Sequence, residues 1–143
     1  MQRFSLLELV LKGIKEDSPY ADVPVNVENL LSVLENFDSP SSKMFLLYDE
    51  DTPVGLLAGV ITEQHPLWHG IKIASELFWY VHPDHRGKNS LKLVKDYETW
   101  AKENGCKYVT MAHFYNELGT KLSDLYSRLG YKEVEVSYLK ELN

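Results

Sequence analysis

The chain has 143 residues, of which 44% are hydrophobic and 25% charged, and these values predict one compact domain over residues 1–143 with a sizeable core. The net charge of −6 argues against a nucleic-acid partner, which would require a basic face, and suits a neutral or cationic small molecule better. The single cysteine, Cys106, excludes a disulfide framework, and because neither a signal peptide nor a membrane-spanning apolar run is found, we expect a cytoplasmic protein without a membrane partner.

Hydrophobic periodicity, caps and breakers predict alternating helices and strands. In chain order they are two helices (5–15 and 27–37) separated by a linker (16–25), three strands (43–48, 54–61 and 76–81), a helix (88–104), a strand (106–111), a helix (117–129) and a final strand (131–139). The strand–helix–strand unit from Glu76 to Met111 should be a parallel crossover. The sequence therefore predicts an α/β fold whose mixed central sheet carries helices on both faces.

Two features of the first half bear on a pocket. Gly55 and Gly59 lie in the second strand, where glycine usually marks a bulge or a close approach of the backbone. The loop over residues 62–72 carries polar and aromatic side chains, namely Gln64, His65, Trp68 and His69. These side chains either form a wall of a substrate pocket or cover the edge of the core. The two histidines do not lie on a helix, so no metal site is predicted from them.

The most informative stretch is Ser75–Leu93, where an apolar strand is followed by a tight polar turn and an amphipathic helix. The strand is apolar throughout residues 77–81, which predicts burial on both faces, and Pro83 ends it because proline cannot donate to a ladder. Arg86 and Gly87 precede the helix. Because the first N–H groups of a helix lack intrahelical partners, this turn predicts an anion site, above all for phosphate. The alternative is a solvated turn that only caps the helix.

Two segments resemble the GNAT superfamily of N-acetyltransferases: the strand and turn Phe78–Gly87, and Leu125–Tyr131, which reads Leu-Tyr-Ser-Arg-Leu-Gly-Tyr. The resemblance extends to the order of the elements, covers nearly the whole chain and is strongest to small stand-alone members. It implies the GNAT-like acyl-CoA N-acyltransferase fold, with acetyl-coenzyme A (acetyl-CoA) as the acetyl donor. Such chains usually open with a short strand, for which only residues 1–4 remain here, so that strand should be shortened or missing.

The resemblance implies that main-chain N–H groups of the turn bind the pyrophosphate of acetyl-CoA. The matching residues are Arg86, Gly87, Lys88, Asn89, Ser90 and Leu91. The turn departs from the superfamily pattern, since Asn89 replaces a glycine and Leu91 replaces a small residue. The pantetheine arm is expected in a gap between two parallel strands, bonded to the backbone of one of them. The backbone residues concerned are Trp79, Tyr80 and Val81. Asn116 corresponds to an asparagine that contacts the cofactor in many members.

Acyl transfer to an amine needs a base for the amine and an acid for the departing thiolate. The resemblance implies Tyr126 as the acid, because it matches the helix tyrosine of the superfamily, while its spacing from Leu122 and Leu125 also fits a core residue. Glu76, an isolated carboxylate in an apolar strand, is the candidate base, or else a satisfied residue at the start of the strand. Alternative bases are His82, His85 and His113.

These residues predict an N-acetyltransferase that moves an acetyl group from acetyl-CoA to a primary amine by direct attack in a ternary complex. The alternative is a catalytically silent acyl-CoA-binding module that modulates a protein partner; the weakened turn motif favours it and Tyr126 opposes it. The acceptor is a small molecule or a peptide, and the residues do not distinguish polyamine, antibiotic, amino acid and protein N-terminus. A homodimer through the final strand is a further expectation.

Overall fold

The computed structural model describes residues 2–62, 67 and 70–143. Its helices are α1 (Gln2–Asp17), α2 (Val27–Asn36), α3 (Lys88–Glu103) and α4 (Glu117–Arg128), and its strands are β1 (Ser42–Asp49), β2 (Thr52–Thr62), β3 (Ile73–Val81) and β4 (Tyr108–Thr110). A short 3-10 turn, Pro83–His85, lies between β3 and α3. Among the described helices, none combines the length and apolar character that a membrane span requires.

The described strands form one mixed sheet in the order β1-β2-β3-β4. The first three strands are antiparallel neighbours, whereas β4 is parallel to β3, as the strand–helix–strand order predicts. The β2–β3 ladder shifts register between Ala58 and Gly59, and Leu77 has no partner on β2 there. A Cβ atom at Gly59 would lie 2.7 Å from the Tyr97 ring, so the predicted close approach is confirmed.

Helices cover both faces of the sheet, as predicted. On one face, α1 and α2 pack over a buried cluster that includes Leu9, Val10 and Leu56. On the other face, α3 packs over a second cluster that includes Leu57 and Tyr97. Successive side chains of β2 pack into opposite clusters because side chains alternate along a strand. Both faces of β2 are therefore buried, which explains its continuous run of apolar residues. The mixed α/β fold class is therefore confirmed.

Most element boundaries lie close to the predicted ones because local caps and breakers set them. Asn26 precedes α2 and its Oδ1 accepts a hydrogen bond from the Asn29 N–H at 2.9 Å. Pro83 follows the end of β3. Helix α1 begins at Gln2, three residues before the predicted start at residue 5, and it takes up residues 2–4, to which a shortened first strand was assigned.

The prediction of a final strand over residues 131–139 is wrong. Residues 131–143, here called the C-terminal tail, have no regular secondary structure, and Val134, Val136 and Tyr138 are 77%, 67% and 93% exposed. Their alternation with polar residues is typical of a half-buried strand, which needs a neighbouring strand and a core to cover one face. Among the described residues, the tail has neither a neighbouring strand nor a core against it, so the alternating pattern does not form a strand.

Two further strand predictions are corrected. The strand predicted over residues 106–111 is shortened to β4, three residues long, because it pairs with β3 only through Tyr108, Val109 and Thr110. Burial of residues 77–81 on both faces is also wrong at Leu77, which is 58% exposed. Leu77 lies at the register shift of β3 and just beyond the last β3–β4 pair, where neither ladder covers it.

Candidate functional site

The turn between β3 and α3 is shaped by a glycine that no other residue replaces without strain. Gly87 precedes α3 with φ 132° and ψ −142°, and no atom lies within 4 Å of the position that a Cβ would take. Ser90 closes the turn, since its Oγ accepts from the Gly87 N–H at 3.1 Å and donates to the Gly87 carbonyl at 2.6 Å. Lys88 and Asn89 begin the helix and are exposed, and the first N–H groups of a helix lie at its positive end.

Arg86 is held against the end of β3. Its Nε donates to the Val81 carbonyl at 2.9 Å, and its guanidinium carbon lies 5.7 Å from the centre of the Tyr80 ring. Arg86 is followed directly by Gly87 and α3, so its positive charge lies near the start of that helix. The Val81 carbonyl, which belongs to the backbone stretch predicted to bond the pantetheine arm, thus accepts a hydrogen bond from Arg86.

β3 and β4 diverge after a short parallel ladder. Their last paired residues are Ser75 and Thr110, yet β3 continues to Val81. The backbone of Trp79, Tyr80 and Val81 therefore lies beyond the reach of β4, along an open strand edge. It is along this edge that the resemblance predicts the pantetheine arm.

Glu76 is the first residue of β3 beyond the last pair with β4. It is half-buried, and burial, followed by the negative charge of Asp17, raises its pKa to about 8. A carboxyl group with a pKa in this range can exchange a proton near neutral pH, as a general base must. This environment arises at the fork, defined here as the point beyond Ser75 and Thr110 where β3 and β4 diverge, and not from the apolar strand alone.

Tyr126 lies on α4 and is 7% exposed. Its hydroxyl donates to the Ala112 carbonyl at 2.8 Å, just past β4, and its ring centre lies 6.2 Å from that of Trp79 on β3. Burial, then the charges of Glu76 and Asp17, raise its pKa above the ordinary phenol value, so the hydroxyl stays protonated. Tyr126 is thus buried like a core residue, with its ring against Trp79 on the open edge of β3 and its protonated hydroxyl bonded to the Ala112 carbonyl.

A cavity of about 350 Å³ opens between α1, the turn and α4. Its lining residues are Glu16, Asp17, Tyr80, Pro83, Arg86, Asn116, Glu117 and Leu118. The fold therefore brings Arg86 and Asn116, which are far apart in the sequence, to one cavity. Three carboxylates line it, and this excess of negative charge favours a cationic ligand.

Asn116 has structural partners at both ends of its amide. The Oδ1 atom caps α4 by accepting from the Gly119 N–H at 2.8 Å, and Nδ2 donates to the Asp17 Oδ1 at 2.9 Å. Sequence reasoning missed the role of Asp17 and its neighbour Glu16, because it assigned residues 16–25 to a linker. No local signal places them, since only the packing of α1 against β3 and α4 does so.

The alternative bases lie in different places. His113 stacks on Tyr126 with ring centres 6.2 Å apart, and its Nδ1 lies 2.9 Å from the Phe114 carbonyl oxygen. His82 precedes the 3-10 turn and His85 is its last residue; the Nε2 of His82 lies 3.2 Å from Lys12 Nζ. The loop side chains assigned to a pocket wall, Gln64, His65, Trp68 and His69, lie outside the described residues. In the part of the chain that is described, no cluster of His, Cys, Asp and Glu could hold a metal ion.

Comparison with known proteins decides what this arrangement belongs to. The model of the acetyltransferase (GNAT) family matches residues 11–131, from the middle of α1 to Tyr131. The chain belongs to the GNAT family. A search of curated protein sequences finds no significant match. The GNAT family carries out acetyl transfer and generally uses acetyl-CoA.

Solved structures share the GNAT fold at low sequence identity. A transcriptional regulator from Bacillus halodurans C-125 is 17% identical, with a TM-score of 0.75 over 95% of this chain and 93% of that one. A ribosomal-protein-alanine N-acetyltransferase from Brucella melitensis biovar Abortus 2308 is 17% identical, with a TM-score of 0.71 over 99% and 94%. AAC(6')-Iy, in complex with the bisubstrate analog CoA-S-monomethyl-acetylneamine, is 16% identical, with a TM-score of 0.68 over 96% and 91%.

The environment of Glu76 in this GNAT protein predicts a pH dependence of stability. With a folded pKa near 8, Glu76 keeps a proton that the unfolded chain loses at lower pH, so its contribution falls as pH rises from about 4.5 through 8. Glutamine does not titrate, so we expect the free energy of unfolding of Glu76→Gln, relative to that of the wild type, to rise by about 1–3 kcal/mol from pH 4 to pH 9. Urea unfolding of both proteins at the two pH values measures this difference. An unchanged difference would contradict the raised pKa.

Proposed function

We propose that this protein is an acetyl-CoA-dependent N-acetyltransferase whose 143 residues act as one domain in the cytoplasm. One observation carries the proposal: the free edge of β3 runs from Glu76 to the glycine turn, with Tyr126 beside it. An extended donor can lie along that edge with its phosphates at the positive end of α3. Family membership and the shared fold support acetyl transfer in general.

The donor would be held mainly by backbone groups. The N–H groups at the start of α3 and the Arg86 guanidinium would bind the pyrophosphate, and the turn residues Gly87, Lys88, Asn89, Ser90 and Leu91 would shape that site. The edge of Trp79, Tyr80 and Val81 would pair with the pantetheine amides, which supply main-chain-like donors and acceptors. Asn116 would contact the donor from the rim of the cavity if its bond to Asp17 opens.

The two catalytic roles follow from the two environments. Glu76 takes the proton that the amine loses as its nitrogen attacks the acetyl carbon, directly or through water. The nitrogen–carbon bond forms, the carbon–sulfur bond breaks, and Tyr126 gives its phenolic proton to the departing sulfur. The pair is suitable because burial keeps Tyr126 protonated while Glu76 has a pKa of about 8, close to working pH.

The proposed acceptor is a cationic primary amine. Glu16, Asp17 and Glu117 line the cavity beside the donor turn, and Glu16 also accepts from the Tyr80 hydroxyl at 2.5 Å. Such a lining attracts an ammonium group and disfavours an anionic acceptor. The acceptors named for structural neighbours, a ribosomal-protein alanine and aminoglycosides, are the first classes to test.

Turnover with an amine panel tests the function. Wild-type protein is incubated with acetyl-CoA and polyamines, aminoglycosides, amino acids or peptide N-termini, and free thiol release is followed. We expect release with at least one cationic amine and none with an anionic one of similar size. Binding of acetyl-CoA without release on any amine would instead support the silent acyl-CoA-binding module.

Gly87→Ala should separate donor binding from fold stability. An L-residue is strained at φ 132°, by roughly 1–3 kcal/mol, and relief of that strain would turn the N–H groups of α3 away from the phosphates. We expect calorimetry to show acetyl-CoA binding weakened at least about tenfold, that is by ~1.4 kcal/mol. Gly105→Ala is the matched control, since Gly105 has φ 79° and follows the other end of α3. Equal losses of affinity in both variants would contradict the proposed phosphate site.

We also propose that the C-terminal tail pairs with a second copy in a homodimer. As a strand, the tail would place the exposed side chains Val134, Val136 and Tyr138 on one face, and β4 carries Tyr108, which is 53% exposed. Two tails exchanged across a two-fold axis would bury on the order of 1,000 Å², the lower limit for a specific interface. The same tail would then satisfy the strand pattern that one chain leaves unused.

Val136→Glu should convert such a dimer to a monomer, because it places a charge on the apolar face of the tail. Ser137→Glu is the control, since the next residue along an extended segment lies on the opposite face. Sedimentation velocity of the wild type and both variants measures the outcome. A monomeric wild type, or equal dissociation of both variants, would contradict the tail-mediated dimer.

A further inference from the structure

The indole nitrogen of Trp79 is buried and unsatisfied. Among the described residues, Trp79 Nε1 is the buried side-chain atom that has no hydrogen-bond partner. An indole N–H can only donate, and a buried donor without an acceptor is costly, so native proteins rarely retain one without a use. No described residue accepts from it, so a group that binds in the site is a candidate for the missing acceptor.

The place of Trp79 in the fold indicates which group that is. Trp79 lies on β3 beyond the last pair with β4, and its ring centre is 6.2 Å from that of Tyr126. The Tyr126 hydroxyl in turn bonds to the carbonyl of Ala112, on the segment that diverges from β3. The indole thus lies beside the gap that the proposed function gives to the pantetheine arm, and a role for it in donor binding rests on that function.

We propose that Trp79 binds the donor through its side chain, its indole N–H donating to an amide carbonyl oxygen of the pantetheine arm. Coenzyme A carries two such amides, and an amide oxygen is a strong acceptor of the kind that backbone carbonyls provide. Because Nε1 is shielded from solvent, insertion of the arm must widen the gap at this point. Trp79 is then a second, side-chain contact to a donor otherwise held by backbone groups.

Nuclear magnetic resonance of ¹⁵N-labelled protein tests this contact without an activity assay. The chain has three tryptophans, whose indole N–H signals are assigned with single Trp→Phe variants. If Trp79→Phe does not fold, its signal is identified by elimination from Trp68→Phe and Trp100→Phe. On saturation with coenzyme A lacking the acetyl group, we expect the Trp79 indole proton to move downfield, while the Trp100 signal, in the α3 core cluster, stays in place.

Calorimetry with the same ligand gives the second measurement. Trp79→Phe keeps an aromatic ring against Tyr126 but removes the donor, so we expect its Kd for coenzyme A to rise about three- to tenfold, against less than twofold for Trp100→Phe. Coenzyme A that binds the wild type without moving the Trp79 signal would overturn this contact and leave the proposed donor intact. No binding to the wild type would overturn the proposed function and this inference together. If the Trp79 signal moves with acetyl-CoA but not with coenzyme A, the indole contacts the thioester, and the proposed bond to a pantetheine amide is overturned.

Discussion

Tyr126→Phe is expected to lower kcat by about 10²–10³-fold, the range typical for loss of a general acid. The phenol stays protonated beside the open edge of β3, and phenylalanine keeps its ring contacts with Trp79 and His113 while removing the proton. Donor affinity should change less than about threefold, because the phosphates and the backbone edge are untouched. Steady-state kinetics with the best amine, together with calorimetry, measures both quantities.

Tyr97→Phe is the matched control for that variant. Tyr97 also donates its hydroxyl to a main-chain carbonyl beside the fork, that of Thr110 at 2.9 Å, but it belongs to the core under α3. Its loss should cost about 1 kcal/mol of stability and leave kcat nearly unchanged. If both variants lose activity equally, or if Tyr126→Phe remains fully active, Tyr126 is a core tyrosine and not the acid.

Glu76→Gln should have the second large effect, and the effect should depend on pH. A base must be ionised, so wild-type kcat/KM should rise with pH and level off above about 8, the pKa that burial and Asp17 give to Glu76. Glutamine cannot accept the proton. We therefore expect kcat/KM of Glu76→Gln to be about 10²-fold lower than that of the wild type on the plateau. The rise of kcat/KM near pH 8 should be lost in the variant, whereas the titration of the acceptor amine should remain in both proteins.

Glu98→Gln provides the comparison for Glu76→Gln. Glu98 accepts a hydrogen bond from the hydroxyl of Tyr131 at 2.6 Å, and the Tyr131 ring lies beside that of Tyr126. Glu98 is on α3, however, and not at the fork. Its pH–rate profile should match the wild type. If the rise of kcat/KM near pH 8 persists in Glu76→Gln, the base is another group. His113, which stacks on Tyr126, is then the first candidate to test.

The sequence predicts those parts of the fold that local chemistry determines. Asn26 and Pro83 mark boundaries that the structure reproduces, because a cap and a missing N–H act within a few residues. The C-terminal tail shows the limit of this reasoning. Its alternation of Val134 and Val136 with glutamates is a strand pattern, yet a strand forms only if a neighbouring edge is present.

The candidate site divides in the same way. The turn with Gly87 and Ser90 is a continuous segment, so the start of α3 directly after Gly87 could be predicted from the residues alone. The contact of Arg86 with the Val81 carbonyl and the meeting of Asp17 with Asn116 depend on how distant segments pack, and no sequence pattern predicted either. The pKa of Glu76 is likewise a consequence of burial at the fork.

Isothermal titration of the wild-type protein with acetyl-CoA tests the central claim most directly, namely that the open edge of β3 and the turn before α3 form a donor site. We predict saturable heat with one site per chain, and binding that Gly87→Ala weakens and Gly105→Ala does not. Absence of heat, with no rise in melting temperature at saturating acetyl-CoA, would contradict it, since a ligand at 100 times its Kd stabilises the folded state by about 2.7 kcal/mol.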